Sequence, residues 1–431
     1  MRAAASLLAT LAASAISCGD DGAPAPYRAP TTRARESSHA RIDRLRSLGY
    51  LVFAEGNDAA GAARSGVVRH DRARTQPGYR WYNEQNRAAA VLIDADGRVL
   101  HRVEDVDGTY WARAELLPGG DVLAVGAANR GERRSEIEDE DRYVARFAWD
   151  GGLRWKRSIG AHHDVEVLSD GRILALVMEP RRIPAVDPDV DVRDDFVVEL
   201  DGDGRELARH SIHDWLAGGP AAFAFGDVAA HLEATNAERR DGVRDYVDLL
   251  HTNSIDPIEL PSLVGTSPLH RADSWLLTSR HQDTIAIVGA EGGGLRFAWG
   301  RGVLDGPHDA SWLANGRLLV FDNGLGRNWS RVVEVDPQTR EIVWEYRGSP
   351  PESFYTASRG SAQRLPNGNT LVSNSGEGQA FEITPEGEIV WEFWNPERNQ
   401  KGRRATLGRM RWLDPRWVDP LLARDRSAPP L

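Results

Sequence analysis

Two histidines of this 431-residue chain occupy the same place relative to a repeated turn. His163 lies eight residues before Gly171 and His308 eight before Gly316, and the turns are Leu168-Ser169-Asp170-Gly171 and Leu313-Ala314-Asn315-Gly316. Residues that keep one register in successive repeats occupy equivalent places in a repeat fold, so both imidazoles are expected at one centre. A third histidine stands in His251-Thr252-Asn253-Ser254-Ile255, and Arg280 and His281 follow within Thr278-Ser279-Arg280-His281-Gln282-Asp283. The candidate set is therefore His163, His251, Asn253, Arg280 and His308. A neutral imidazole is a competent nucleophile near pH 7. A guanidinium, a carboxamide and further imidazoles can donate hydrogen bonds to oxygens on which charge accumulates. Together they suit attack on an anionic tetrahedral group, a scheme that demands neither cofactor nor metal. Asp164 and Asp309 each follow a register histidine and are expected to fix its tautomer or to cap the turn. His162, His270 and His281 read as satisfied structural residues.

Two other readings use the same residues. Three histidines with Asp164 and Asp309 could ligate a divalent ion, although Arg280 in the same pocket disfavours a cation. Alternatively, the scaffold captures a ligand or partner without turnover.

The elements that must position these residues are short strands. The Leu-x-x-Gly turn also occurs as Leu117-Pro118-Gly119-Gly120 and Leu365-Pro366-Asn367-Gly368, each time between apolar runs, and glycine there tolerates the positive φ of a tight hairpin. A second phrase, strand, polar turn, strand, begins at Val91, Phe147, Val197, Ala286, Val332 and Phe381. Six occurrences predict six four-stranded blades, an all-β, six-bladed β-propeller over residues 66–394. Two stretches interrupt the repeat and are read as loops on the propeller face: Pro180 to Asp195 and Ile255 to Arg271. The basic, then Pro- and Trp-rich tail, 395–431, is expected to pack on the outside.

Ahead of the propeller, residues 1–17 read as a signal peptide: Arg2, an apolar Ala- and Leu-rich run, then small residues. Ala15-Ile16-Ser17-Cys18 resembles a lipobox, so Cys18, the only cysteine, is the expected lipidation site, and 18–37 a tether. Ile42, Leu45 and Leu48 are spaced for a short N-terminal helical segment within 38–65, with Gly49 as its cap. The expected product is an exported lipoprotein, periplasmic or at the cell surface, held to the membrane by its lipid. A net charge of −11 gives no general attraction to nucleic acid, so an anionic substrate requires a local basic site.

Over most of residues 66 to 394 the chain resembles the bacterial arylsulfotransferases. The resemblance rests on Gly66-Val67-Val68 through Pro77-Gly78-Tyr79, Leu92-Ile93-Asp94 to Gly97, His162-His163-Asp164 and His251-Thr252-Asn253-Ser254-Ile255. It continues through Ser279-Arg280-His281-Gln282-Asp283, Gly306-Pro307-His308-Asp309-Ala310 and Gly360-Ser361-Ala362-Gln363. It implies a six-bladed propeller that moves a sulfuryl group from a phenolic sulfate donor to a phenol acceptor without a nucleotide sulfate. It further implies His308 as the nucleophile, forming a sulfohistidine. His251, Asn253 and Arg280 would bind the sulfuryl oxygens, with His163 as a further pocket histidine.

Overall fold

The computed structural model describes residues 63–128, 141–218, 223–226, 246–290 and 294–427. The signal segment, Cys18, the tether and the helix spacing at 42–49 lie outside these residues.

Six antiparallel sheets form the six blades. Blade 1 comprises, from the inside outward, Leu407–Leu413, Tyr79–Glu84, Ala89–Ile93 and Val99–Glu104; blade 2 comprises Tyr110–Leu116, Val122–Ala127, Arg142–Phe147 and Leu153–Ser158. Blade 3 is Ala161–Val167, Ile173–Arg181, Asp191–Leu200 and Glu206–Ser211, with Tyr246–Val247 added in parallel to its third strand. Blade 4 is Thr252–Pro257, Ser274–Ser279, Thr284–Gly289 and Gly294–Trp299, and blade 5 is His308–Trp312, Leu318–Asp322, Arg331–Asp336 and Glu341–Arg347. Blade 6 is Ser361–Arg364, Thr370–Asn374, Gln379–Ile383 and Ile389–Trp394, with Gly66–His70 as a fifth, outermost strand.

The repeated phrases place these strands. In all four Leu-x-x-Gly turns the glycine N–H donates to the leucine carbonyl at 2.8–2.9 Å, with φ between +82° and +97°, and each turn joins a blade's inner strand to its second. The second phrase spans strands three and four of every blade. Strand periodicity then feeds two cores at once, because alternate residues face opposite neighbours. In Ile173–Arg181, Leu174 and Leu176 pack with Trp275 and Leu277 of blade 4. Ile173, Ala175 and Val177 of the same strand pack with Leu123 and Val125 of blade 2. Such double burial, about 1.5–3 kcal/mol for each Leu, Ile or Val side chain, explains why these strands are apolar on both faces.

The structure differs from three expectations. Residues 395–431 do not all lie outside the propeller, because Leu407–Leu413 is the innermost strand of blade 1, paired with Tyr79–Glu84. Leu407 and Met410 are buried in the core between blades 6 and 1. Beyond it, the helix Pro415–Ser427 sets Val418 into the core between blades 1 and 2. The supposed face loop from Pro180 contains strand at both ends, since Ile173–Arg181 and Asp191–Leu200 pair as far as Arg181 and Val192. Likewise Ile255, Asp256 and Pro257 belong to the inner strand of blade 4, paired with Leu277, Leu276 and Trp275.

Candidate active site

Inner strands converge on the axis, and their first residues surround one cavity. Ala112, His163, His308 and Gly360 all line it, and each lies eight residues before the glycine of its Leu-x-x-Gly turn. Tyr110, Arg113, Arg142, Asn253, Arg359, Gly408 and Arg409 complete much of the wall. Bulges in the ladders turn these side chains inward: pairing slips between Trp111 and Arg113, between Thr252 and Ser254, and between His308 and Ser311. His163, His251, Asp309 and Arg359 hold positive φ, from 48° to 61°, conformations costly for non-glycine residues and common at functional sites.

His308 is buried at the start of blade 5. Its Nδ1 lies 2.7 Å from Asn323 Oδ1 and 3.1 Å from the Gly306 carbonyl, while its Nε2 accepts the backbone N–H of Arg359 at 3.2 Å. Burial, reinforced by the nearby Arg280 guanidinium, lowers its pKa to about 3 against the hydrogen bonds that Nδ1 donates to Asn323 and Gly306. The imidazole is therefore neutral across the physiological range.

Of the other candidates, His163 and Asn253 join His308 on the cavity wall, whereas His251 and Arg280 adjoin it without being part of its lining. The His251 ring meets His163 edge-on with centroids 5.0 Å apart. Asn253 donates to the Pro307 carbonyl at 2.8 Å, which ties blade 4 to the residue preceding His308. His163 Nδ1 lies 2.6 Å from His162 Nδ1. Burial and the surrounding His162, His251, His308 and Arg142 hold the pKa of His163 well below the usual imidazole range. His162, expected to be structural, is thus a cavity residue. His270 keeps a structural role, bonded to Thr266 Oγ1 at 2.9 Å and to the Gly316 carbonyl at 3.1 Å.

Asp164 and Asp309 do not hold imidazoles. Asp164 Oδ2 accepts the N–H of Ile255 in blade 4 at 3.0 Å, and Asp309 Oδ2 accepts that of Ala362 in blade 6 at 3.2 Å. Asp256 does the same for Trp312 at 2.6 Å, and Gln363 Oε1 for Trp412 at 2.7 Å. These contacts are clasps from one inner strand to the next. The other oxygen of Asp164 faces Arg113 Nη1 at 3.0 Å, and that of Asp309 pairs with Arg409. Arg113 also pairs with Glu115 and, at 2.6 Å, with Glu166, so the cavity rests on a buried ionic floor. The metal reading built on Asp164 and Asp309 therefore loses its carboxylates to guanidinium and backbone partners. A different trio, Asp248, His251 and His281, brings possible ligand atoms within 4.8 Å of one another. Its members bond to each other instead: His251 Nδ1 to Asp248 Oδ2 at 2.7 Å, and His281 Nδ1 to the Asp248 carbonyl at 2.7 Å. Burial would raise the Asp248 carboxyl, but the neighbouring His251 and His281 outweigh it and hold the group well below its usual range.

The residues that sequence reasoning missed are Asn323, Arg359, Arg142, Arg113, Arg409 and Asp248. A signal for one of them existed: Asn323 lies seven residues after Gly316, and Ser375 lies seven after Gly368. Ser375 Oγ accepts from the N–H of Gly360, the residue equivalent to His308, so the same pair of positions meets in both blades.

The profile of the arylsulfotransferase (ASST) family matches residues 153–396, more than half of the sequence, and the chain belongs to that family. Membership supports an arylsulfotransferase-type function, with aryl sulfates and phenols as the small-molecule substrates the family implies. No curated protein matches the chain by sequence. Among solved structures, a protein of unknown function from Bacteroides caccae is similar at 14% identity and a TM-score of 0.47, covering 77% of this chain and 98% of that one. A virginiamycin B lyase from Staphylococcus aureus is similar at 11% identity and 0.42, covering 77% and 88%. The β-propeller domain of Myceliophteria thermophila Cps50 gives 12% and 0.43, covering 80% and 97%.

Proposed function

We propose that this protein transfers a sulfuryl group between phenols by double displacement at His308. The observation that carries the reading is the state of that imidazole: buried and neutral, with Nδ1 turned to Asn323 and Gly306 so that the lone pair lies on Nε2, which must give up the Arg359 N–H to attack. In the first step Nε2 attacks the sulfur of an aryl sulfate, the N–S bond forms, the ester O–S bond breaks, and phenolate leaves. In the second, the oxygen of an acceptor phenol attacks the same sulfur and Nε2 is regained; the proton the acceptor gives up balances the one the departed phenolate takes. Dividing the transfer makes each displacement easier. Arg280, beside His308, and His163 and Asn253 on the wall supply positive charge and N–H donors where the equatorial oxygens gather charge.

Turnover of a nitrophenyl sulfate with a second phenol should follow ping-pong kinetics, with donor phenol released before acceptor binds. Arg280→Ala is expected to slow both half-reactions by about 2.7–4 kcal/mol, as removal of one oxyanion donor does. Wild-type protein that releases no phenol from any aryl sulfate would leave ligand capture as the better account.

We further propose that the chain is exported and anchored through a lipid on Cys18. Intact-mass analysis of membrane-extracted protein should find Cys18 as the modified N-terminus; an unmodified Cys18 contradicts this.

A further inference from the structure

We propose that Asn323 is the positioning residue that locks His308 in its Nδ1–H tautomer and so keeps the lone pair on Nε2, the atom that attacks the sulfur once the Arg359 N–H is released. This rests on the sulfuryl-transfer reading for its catalytic meaning, but the tautomer itself is independent of that reading.

The orientation of the Asn323 carboxamide is not free. Asn323 is fully buried just past the second strand of blade 5. Its Nδ2 donates to two carbonyls of the loop leading into blade 6, Thr356 O and Arg359 O, both at 2.8 Å. Carbonyls cannot donate, so both N–H groups of the amide are committed there, and turning the amide over would set oxygen against oxygen twice. Oδ1 must therefore face His308, and an acceptor 2.7 Å from Nδ1 requires that nitrogen to carry the proton. The Gly306 carbonyl, 3.1 Å from the same nitrogen, asks for the same tautomer. At Nε2 the agreement is reciprocal. The Arg359 N–H donates to it at 3.2 Å, so that atom holds a lone pair in the resting state. One side chain thus binds His308 through its oxygen and, through its nitrogen, the carbonyl of the very residue whose N–H marks Nε2. Asn323 touches neither sulfur nor phenol in this scheme and acts through His308.

The test compares wild type with Asn323→Ala and Asn323→Asp, using the full-length protein labelled with ¹⁵N at histidine and assigning His308 by its loss in His308→Ala. Wild type is expected to show a single Nδ1–H tautomer. Asn323→Ala should show a mixture, incomplete because Gly306 remains, and phenol release in the first half-reaction should fall roughly ten- to a hundredfold with KM little changed, as for other residues that orient a functional imidazole. In Asn323→Asp a carboxylate beside Nδ1 favours imidazolium, against Arg280 and His251 of blade 4 and His163 of blade 3, which oppose it. The acid limb of activity should therefore move to higher pH, and further than in Asn323→Ala, in which loosened packing acts without the added charge. Thermal unfolding of each variant records how much the lost bonds to Thr356 and Arg359 cost the fold. An unchanged tautomer in Asn323→Ala overturns the proposal. A changed tautomer in a protein that never cleaves an aryl sulfate upholds Asn323's positioning role and overturns the sulfuryl-transfer reading instead.

Discussion

Replacing His308 by alanine is expected to abolish both the burst of phenol from an aryl sulfate and its transfer to an acceptor, a loss on the order of a millionfold if it parallels removal of other covalent nucleophiles. The neighbouring imidazoles are less well placed: His251 is not part of the cavity lining, and His163 Nδ1 faces another imidazole nitrogen, His162 Nδ1, so its tautomer is not set by carbonyl acceptors as that of His308 is. Rapid-quench mass spectrometry should find a sulfuryl adduct on the wild-type peptide that holds His308 and none in the variant; transfer that continues undiminished without His308 refutes the mechanism. The pH dependence adds a second check. The free nucleophile must be unprotonated, and with a pKa of about 3 it remains so until strongly acid solution. The first half-reaction should therefore be flat from about pH 5 to 8, without the fall near 6.5 that an ordinary imidazole imposes. Arg280→Ala, by removing one cause of the depression, should move that acid limb upward.

Arg113→Met is expected to destabilise the propeller by about 3–5 kcal/mol at pH 8, the cost of leaving buried carboxylates without their partner. Arg113 is only 4% exposed and faces Asp164, Glu166 and Glu115. Even with the arginine in place, burial raises Asp164 to about 6 and Glu166 to about 7, with Arg113 opposing the rise. A carboxyl whose pKa is higher in the folded than in the unfolded chain favours folding when protonated. Its penalty is thus complete above the folded value and fades as pH falls toward the unfolded value near 4. The difference between wild type and variant in urea unfolding should therefore narrow from pH 8 to pH 5. A constant difference would mean that lost packing of the long side chain, not uncompensated charge, is the cause.

Why the blades were legible and the floor of the site was not follows from where each signal resides. A Leu-x-x-Gly turn is local: its glycine needs positive φ and its flanking strands need apolar residues on both faces, so a few adjacent positions disclose an inner hairpin. Register from that turn then carried His163 and His308 to one cavity, since equal distances along equivalent strands end at equal depths. Asp164 and Asp309 misled because adjacency in sequence is not adjacency in a pleated strand; each carboxylate serves the next blade. Arg359 and Arg409 answer His308 and Asp309 from other blades and loops, contacts set by the closure of the ring, whereas Asn323 comes from just past the neighbouring strand of the same blade. The strand at 407–413 was missed for a related reason, as it pairs with Tyr79–Glu84, more than three hundred residues earlier, and has no Leu-x-x-Gly turn of its own.

That late strand has a consequence for the order of assembly. Until Leu407–Leu413 has been delivered, blade 1 lacks its axial strand and the ring can exist only as an open arc with two unsealed edges. Gly408 and Arg409, which line the cavity, and the Arg409 partner of Asp309 arrive with it. Because Gly66–His70, from the other end of the described chain, is stitched to the outside of blade 6, the two ends close adjacent blades like the halves of a clasp. The cavity is therefore among the last features to form. A chain arrested before residue 407 would have five complete blades and His308 in place, yet would lack Gly408 and Arg409 on one side of the cavity.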